Sequence, residues 1–175
     1  AEYERYEVSA RDQERGMPLM DQALLLQNET GCLRALLTTL GVLIQRGHRR
    51  IVIASHQVMC LRIALNFVRH RIAQGVQAYR EFESDGRADA WHSMCRHYGA
   101  GTMRSLVRRF PNPTCLLYEG SLNPKRRNAM KKEFLSAEAS LLGLSIKAGG
   151  QGLHLCPGSE AIVLFGNLPW SPAYI

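Results

Sequence analysis

The chain has 175 residues, of which 46 % are hydrophobic, and this size and composition suit one domain with a sizeable core. Its net charge of +7 at pH 7 favours an anionic partner, with nucleic acid ahead of a membrane surface. No apolar run reaches the roughly 18 residues that a membrane span needs, and the start lacks a signal-peptide pattern. Five cysteines in irregular spacing indicate reduced thiols and therefore an intracellular protein.

The first third of the sequence predicts a linker followed by a helix, a strand and a second helix. Residues 1–27 are charged and mixed, so we interpret them as a linker or helix arriving from an upstream region. Asn28-Glu29-Thr30 offers N-capping side chains for an amphipathic helix over 31–46. The β-branched run at 51–54 predicts a buried strand. A second helix is predicted over about 58–72.

The remaining two thirds predict an insertion and then three more strands. Residues 73–113 are polar and basic, and they predict an insertion with some helix of its own. Apolar runs at 114–118, 141–145 and 161–165 predict strands, and a strongly basic helix is predicted over 124–135. Short strands that alternate with helical patterns predict βαβ units and a parallel sheet.

We therefore predict one α/β domain over 28–175, in which the four strands are parallel neighbours. The helices 31–46 and 124–135 are expected to pack against the sheet.

The insertion carries two groups of residues that invite a functional interpretation. His92, Cys95 and His97 are close in sequence, but they lack a second pair at zinc spacing, so we predict no metal site. Four arginines suit phosphate contacts and a solvated face equally well: Arg96, Arg104, Arg108 and Arg109.

The stretch from 141 to 155 combines a strand with a glycine-rich turn. Ser145 and Lys147 follow the apolar run, and three glycines come next: Gly149, Gly150 and Gly152. Glycines let a backbone or a phosphate approach closely, and consecutive amide N–H groups in such a turn bind anions. Neither of the two common phosphate-loop spacings is present, so a plain strand-to-helix turn is the alternative interpretation.

Several motifs together carry a resemblance to a known family. The letters YEGS at 118–121, then Arg127 and Phe134, then LSIKAGGQGLHL at 144–155, follow one another in a fixed order. IVIASHQ at 51–57 precedes them, and NLPWSP at 167–172 follows them. This series resembles the second motor lobe of the Swi/Snf-type helicase-like ATPases. The resemblance covers about 28–172 without the insertion.

The resemblance implies a RecA-like lobe, a parallel sheet with helices on both faces. In that family, two such lobes clamp ATP with Mg²⁺ and track duplex DNA, so the expected partners are double-stranded DNA, chromatin and the first RecA-like lobe. A nuclear location would follow in a eukaryote. The expected DNA contacts are Ser55, Gln57, Ser145, Lys147, Gly149 and Gly150. Gly152 and His154 are expected near the nucleotide.

The chain also departs from the family pattern. Ile146, His154 and Ser171 stand where the family usually has Thr, Asn and Asn. The phosphate-binding lysine loop and the Mg²⁺-binding acidic motif of the first lobe do not occur, and the chain stops before the arginine-finger motif. We therefore expect these 175 residues to be unable to hydrolyse ATP alone. Two hypotheses follow: part of an ATP-dependent DNA translocase, or a non-catalytic lobe that binds DNA or a protein partner.

Overall fold

A computed structural model of the protein describes residues 6–7, 19–20, 29–86, 88–149 and 158–166. Its strands are β1 (Tyr6–Glu7), β2 (Leu19–Met20), β3 (Arg50–Ser55), β4 (Thr114–Tyr118), β5 (Ser140–Ser145) and β6 (Ala161–Leu164). Its helices are α1 (Gly31–Gln45), α2 (Val58–Asp85), α3 (Asp89–Tyr98), α4 (Ala100–Arg109), α5 (Pro124–Ser136) and α6 (Ile146–Gly149).

The central feature is a four-stranded sheet in the order β4-β5-β3-β6. Every pair in it is parallel, and the register places Ile51 opposite Leu141 on one side and opposite Ala161 on the other. The prediction of four parallel neighbouring strands is therefore confirmed, with bounds that differ by one residue at most. β1 and β2 form a separate antiparallel pair.

Helices cover both faces of this sheet because successive strand residues point to opposite sides. On one face, Ile51 and Ile53 join a large core built with α1, α2, α3 and α4. On the other face, Val52 joins a smaller core to which α5 contributes Met130 and Phe134. The fold is thus a parallel α/β sheet between helical layers, an architecture consistent with a RecA-like lobe.

The predicted insertion is helical, but it is also part of the principal core. α2 continues past the expected end at 72 as far as Asp85, where Gly86 with φ +67° ends it. The sequence did not predict this second half of α2, because its buried positions include the small residues Gly75 and Ala78, which add little to an apolar pattern. α3, α4 and the residue after α4 then add buried side chains to the large core: Trp91, Tyr98, Met103, Leu106, Val107 and Phe110.

α1 begins where the sequence predicted, and the Thr30 hydroxyl accepts a hydrogen bond from the Leu33 N–H at 3.3 Å. Its most extensive packing is against α4, and it shares the large core with the sheet. A Cβ on Gly41 would lie 2.5 Å from Thr102 Cγ2 and 2.9 Å from Thr102 Cα, so a side chain there would collide with α4. α1 therefore packs mainly on α4; with the sheet, against which it was predicted to pack, it shares the large core but makes no contact of comparable extent.

None of the helices in the described ranges combines enough length with enough apolar character to cross a membrane.

Candidate nucleic-acid interface

Two buried serines end neighbouring strands at the carboxyl edge of the sheet. Ser55 ends β3 and Ser145 ends β5, and the two residues are direct register partners. Each is only 3 % exposed. In open α/β sheets, ligands bind outside the carboxyl ends of the strands. The structure therefore brings these two predicted contact residues together at the edge where a ligand is expected.

The backbone around Ser55 is held in a tight arrangement. Its hydroxyl oxygen accepts a hydrogen bond from the Gln57 N–H at 3.2 Å, which closes the turn into α2. Gly166 has φ +90°, and a Cβ there would lie 3.4 Å from the Ser55 hydroxyl oxygen. The chain leaving β6 therefore passes directly beside Ser55, in a conformation that favours glycine.

The N-terminus of α2 opens at the same edge. Gln57 is its N-cap residue, but the Gln57 side chain does not cap the helix and instead accepts a hydrogen bond from the Cys60 thiol at 3.0 Å. The first turn contains no acidic residue. The first N–H groups and the helix dipole make such an end favourable for an anion. An approaching phosphate would therefore meet partial positive charge here.

Lys147 adds a full positive charge beyond β5. It lies in the short helix α6 and is exposed, whereas the following Ala148 packs against the smaller core. Gly149 is the last residue of α6. The predicted contact Gly150 and the predicted nucleotide contacts Gly152 and His154 lie outside the described residues, so those assignments stay predictions.

The turn after β4 is held by two arginines. Arg62 of α2 donates from Nη2 to both carboxylate oxygens of the buried Glu119, at 3.0 Å each. Arg127 of α5 donates from Nη2 to the Gly120 carbonyl at 2.7 Å and lies over the Tyr118 ring. The sequence analysis missed the Arg62–Glu119 pair, because no local pattern links two residues that are 57 positions apart.

Two ion pairs lie at the opposite, amino-terminal edge of the sheet. Glu160 accepts hydrogen bonds from the backbone N–H groups of Arg49 and Arg50, and it pairs with the Arg50 guanidinium at 3.0 Å. Burial would raise the pKa of Glu160, but these bonds outweigh burial and lower that pKa. Arg49 also pairs with Glu138 at 2.7 Å. Arg49 and Arg50 at this edge are thus each paired with a carboxylate.

Among the candidate metal residues of the insertion, His97 has another partner. His97 Nε2 lies 2.7 Å from Glu29 Oε1. Burial is the main cause that raises the pKa of the Cys95 thiol. Within the described ranges, no group of three or more His, Cys, Asp or Glu side chains could hold a metal ion.

The four arginines of the insertion divide into two pairs. Arg108 donates to the Tyr79 hydroxyl at 2.7 Å, and Arg109 donates to the carbonyls of Ile44 and Gln45 at the end of α1. These contacts give Arg108 and Arg109 structural partners. Arg96 and Arg104 are exposed, so the choice between phosphate contact and solvated face stays open for them.

Comparisons with known proteins found no matching family model, curated protein or solved structure. The family assignment therefore continues to rest on the series of motifs and stays a prediction.

Proposed function

We propose that this chain is the second motor lobe of an ATP-dependent DNA translocase that acts on double-stranded DNA or chromatin. The observation that carries the proposal is the register pairing of Ser55 with Ser145 at the carboxyl edge of the sheet, beside Lys147 and the N-terminus of α2. The order of motifs in the sequence supports the same assignment, as does the parallel α/β architecture.

In this proposal, the carboxyl edge holds backbone phosphates of one DNA strand. The Lys147 ammonium and the amide groups of Gly149 and Gly150 would donate to phosphate oxygens, whereas the buried Ser55 and Ser145 would hold the strand ends beside these donors. Such contacts fix position but carry no sequence information, which suits a motor that moves along any sequence. Gln57 would contribute through its side-chain amide at the start of α2.

In this proposal, ATP binds only in the complete motor, between the two lobes. Gly152 and His154 would line one wall of the cleft, and ATP would supply the free energy for opening and closing the two lobes. The resemblance implies that the Mg²⁺ ligands and the phosphate-binding lysine loop lie on the first lobe.

The proposal is tested by measuring DNA affinity against salt concentration. Because each neutralised phosphate contributes about −0.9 to the log–log slope, Lys147→Ala should reduce the slope by about one. At 0.1 M salt the affinity for duplex DNA should fall by up to about eightfold. Arg80→Ala is the matched control, since Arg80 is an exposed cation in the distal half of α2. Equal affinities and slopes for wild type and Lys147→Ala would remove Lys147 from the site.

A second candidate function is a lobe that binds DNA or a protein partner without catalysis. Ile146 favours it, because this half-buried residue replaces the hydroxyl that the family usually places between Ser145 and Lys147. Phosphate release by the full reading frame, with and without DNA, separates the two functions. DNA-stimulated turnover supports the motor, and a silent protein that still binds DNA supports the non-catalytic lobe.

A further inference from the structure

Helix α5 carries a concentration of positive charge that the carboxyl-edge site does not use. Five of its thirteen residues are basic. Arg127 is engaged by the turn after β4, as described above. The other four basic residues form no ion pair with any other residue in the described ranges: Lys125, Arg126, Lys131 and Lys132.

This lack of pairing contrasts with other elements of the same fold. Glu29 pairs with Arg34 and Arg71, Glu119 pairs with Arg62, and Glu160 pairs with Arg50. These four arginines are matched by carboxylates, whereas Arg108, Arg109 and Arg127 donate to uncharged oxygens. The unmatched charges of α5 leave a positive surface in a chain whose net charge is already +7.

The geometry of α5 aligns part of this charge in an outward stripe. Met130 and Phe134 are buried and fix the inward side of the helix. Lys125 and Lys132 are exposed and are seven positions apart, so they lie on one side of the helix, about 10 Å apart along its axis. Asn128, between them in sequence, is also exposed.

The stripe of Lys125 and Lys132 lies on the same side of the sheet as α6, the short helix that contains Lys147. Leu122, in the turn that leads into α5, packs against the smaller core, and Ala148 of α6 packs against the same core. α5 begins with Pro124, soon after the carboxyl end of β4. A strand of nucleic acid held at the carboxyl edge could therefore continue along the outside of α5.

We propose that the outer face of α5, which carries the exposed Lys125 and Lys132 and is flanked on opposite sides by the half-buried Arg126 and Lys131, is a second binding surface for the phosphate backbone of nucleic acid. Protein–protein interfaces have apolar, aromatic-rich centres and are depleted in lysine. The large exposed hydrophobic residues in the described ranges all lie on other elements: Val42, Met59, Phe82, Ile162 and Leu164. Lysines without an apolar centre fit a repeated phosphate charge better than a folded acidic partner.

The test compares two double variants that each remove two exposed positive charges. In the α5 variant, Lys125→Gln and Lys132→Gln remove the stripe. In the control variant, Arg46→Gln and Arg80→Gln remove exposed charges from the end of α1 and from distal α2. Fluorescence anisotropy with a labelled duplex of about 20 base pairs, from 50 to 200 mM salt, gives the affinity and its salt slope for each protein.

We expect the α5 variant to reduce the log–log slope by about two and the affinity at 0.1 M salt by up to about 60-fold. Lys125→Arg with Lys132→Arg should keep both values near wild type, because the charge is retained. Far-UV circular dichroism confirms that each variant is folded. An α5 variant that matches wild type, or that matches the control variant, would overturn the inference.

The α5 surface and the carboxyl-edge site give separable outcomes. A loss with Lys147→Ala alone keeps the carboxyl-edge site and rejects the α5 surface. A loss with the α5 variant alone keeps the α5 surface and removes Lys147 from DNA binding. A loss with both variants supports a continuous path for the backbone.

Discussion

Glu29 is the centre of a buried ionic cluster whose removal should weaken the fold. Its side chain is 9 % exposed, and its carboxylate accepts hydrogen bonds from Tyr98 and from Arg71, the latter at 2.7 Å. His97 Nε2 and Arg34 Nε lie 2.7 Å and 3.3 Å from the same carboxylate. The cluster fastens the residue just before α1 to α2 and α3.

The size of the effect follows from the pKa of this carboxyl group. Burial alone would raise it, but the bonds from Tyr98, His97, Arg71 and Arg34 outweigh burial and lower the pKa from 4.5 to about 2. Each pKa unit corresponds to about 1.4 kcal/mol, so ionised Glu29 stabilises the folded state by at most about 3.5 kcal/mol. We therefore expect Glu29→Gln to lower the free energy of unfolding by about 1 to 3 kcal/mol at pH 7.

The same reasoning fixes the dependence on pH. The folded-state pKa lies below the unfolded value, so this stabilisation is fully present above about pH 4.5 and is lost as the pH falls towards 2. Urea unfolding followed by circular dichroism, at pH 7 and at pH 3, measures the gap between wild type and Glu29→Gln. Glu138→Gln is the control, because that carboxylate is 87 % exposed and its pair with Arg49 should contribute under about 1 kcal/mol. A gap that is absent at pH 7, or equally large at pH 3, would refute the reasoning.

Three further predictions follow from the packing, the capping and the proposed division of the motor. Gly41→Ala should destabilise the protein by about 1 to 3 kcal/mol in urea unfolding, since the new Cβ collides with Thr102, whereas Gly101→Ala has room and should not. Asn123→Ala should cost about 1 kcal/mol in the same assay and Asn123→Asp much less, because the Asn123 side chain accepts the Arg126 N–H at 2.8 Å as the N-cap of α5. In a phosphate-release assay, this 175-residue chain should show no ATP turnover until the first lobe and an arginine-finger segment are supplied.

The sheet was predictable from the sequence because its strands are short apolar runs. The runs 114–118 and 141–145 coincide with observed strands to within one residue, since buried parallel strands need apolar side chains on both faces. Parallel pairing also followed, because helical patterns separate the runs. The pairing of Ser55 with Ser145 then required only that both residues end neighbouring strands.

The packing of the insertion was not predictable in the same way. The second half of α2 buries Gly75 and Ala78, which add little to an apolar pattern although they permit close contact with neighbouring helices. Met103 Cε, for example, would lie 2.6 Å from a Cβ on Gly75. The ion pair of Arg62 with Glu119 was equally hidden, because long-range charge pairing leaves no periodic signal.

The distribution of charge between the two edges of the sheet bears on which edge is expected to bind DNA. At the amino-terminal edge, Glu160 and Glu138 neutralise Arg50 and Arg49, so a phosphate approaching there would compete with carboxylates already bound. At the carboxyl edge, the exposed Lys147 follows β5, and the first turn of α2 carries no acidic residue. The ion pairs therefore weaken the attraction of Arg49 and Arg50 for an anionic strand, whereas Lys147 forms no ion pair within the described ranges. Since the loops at the carboxyl edge also carry the motif residues, the electrostatic reasoning and the motif resemblance favour the same edge for DNA.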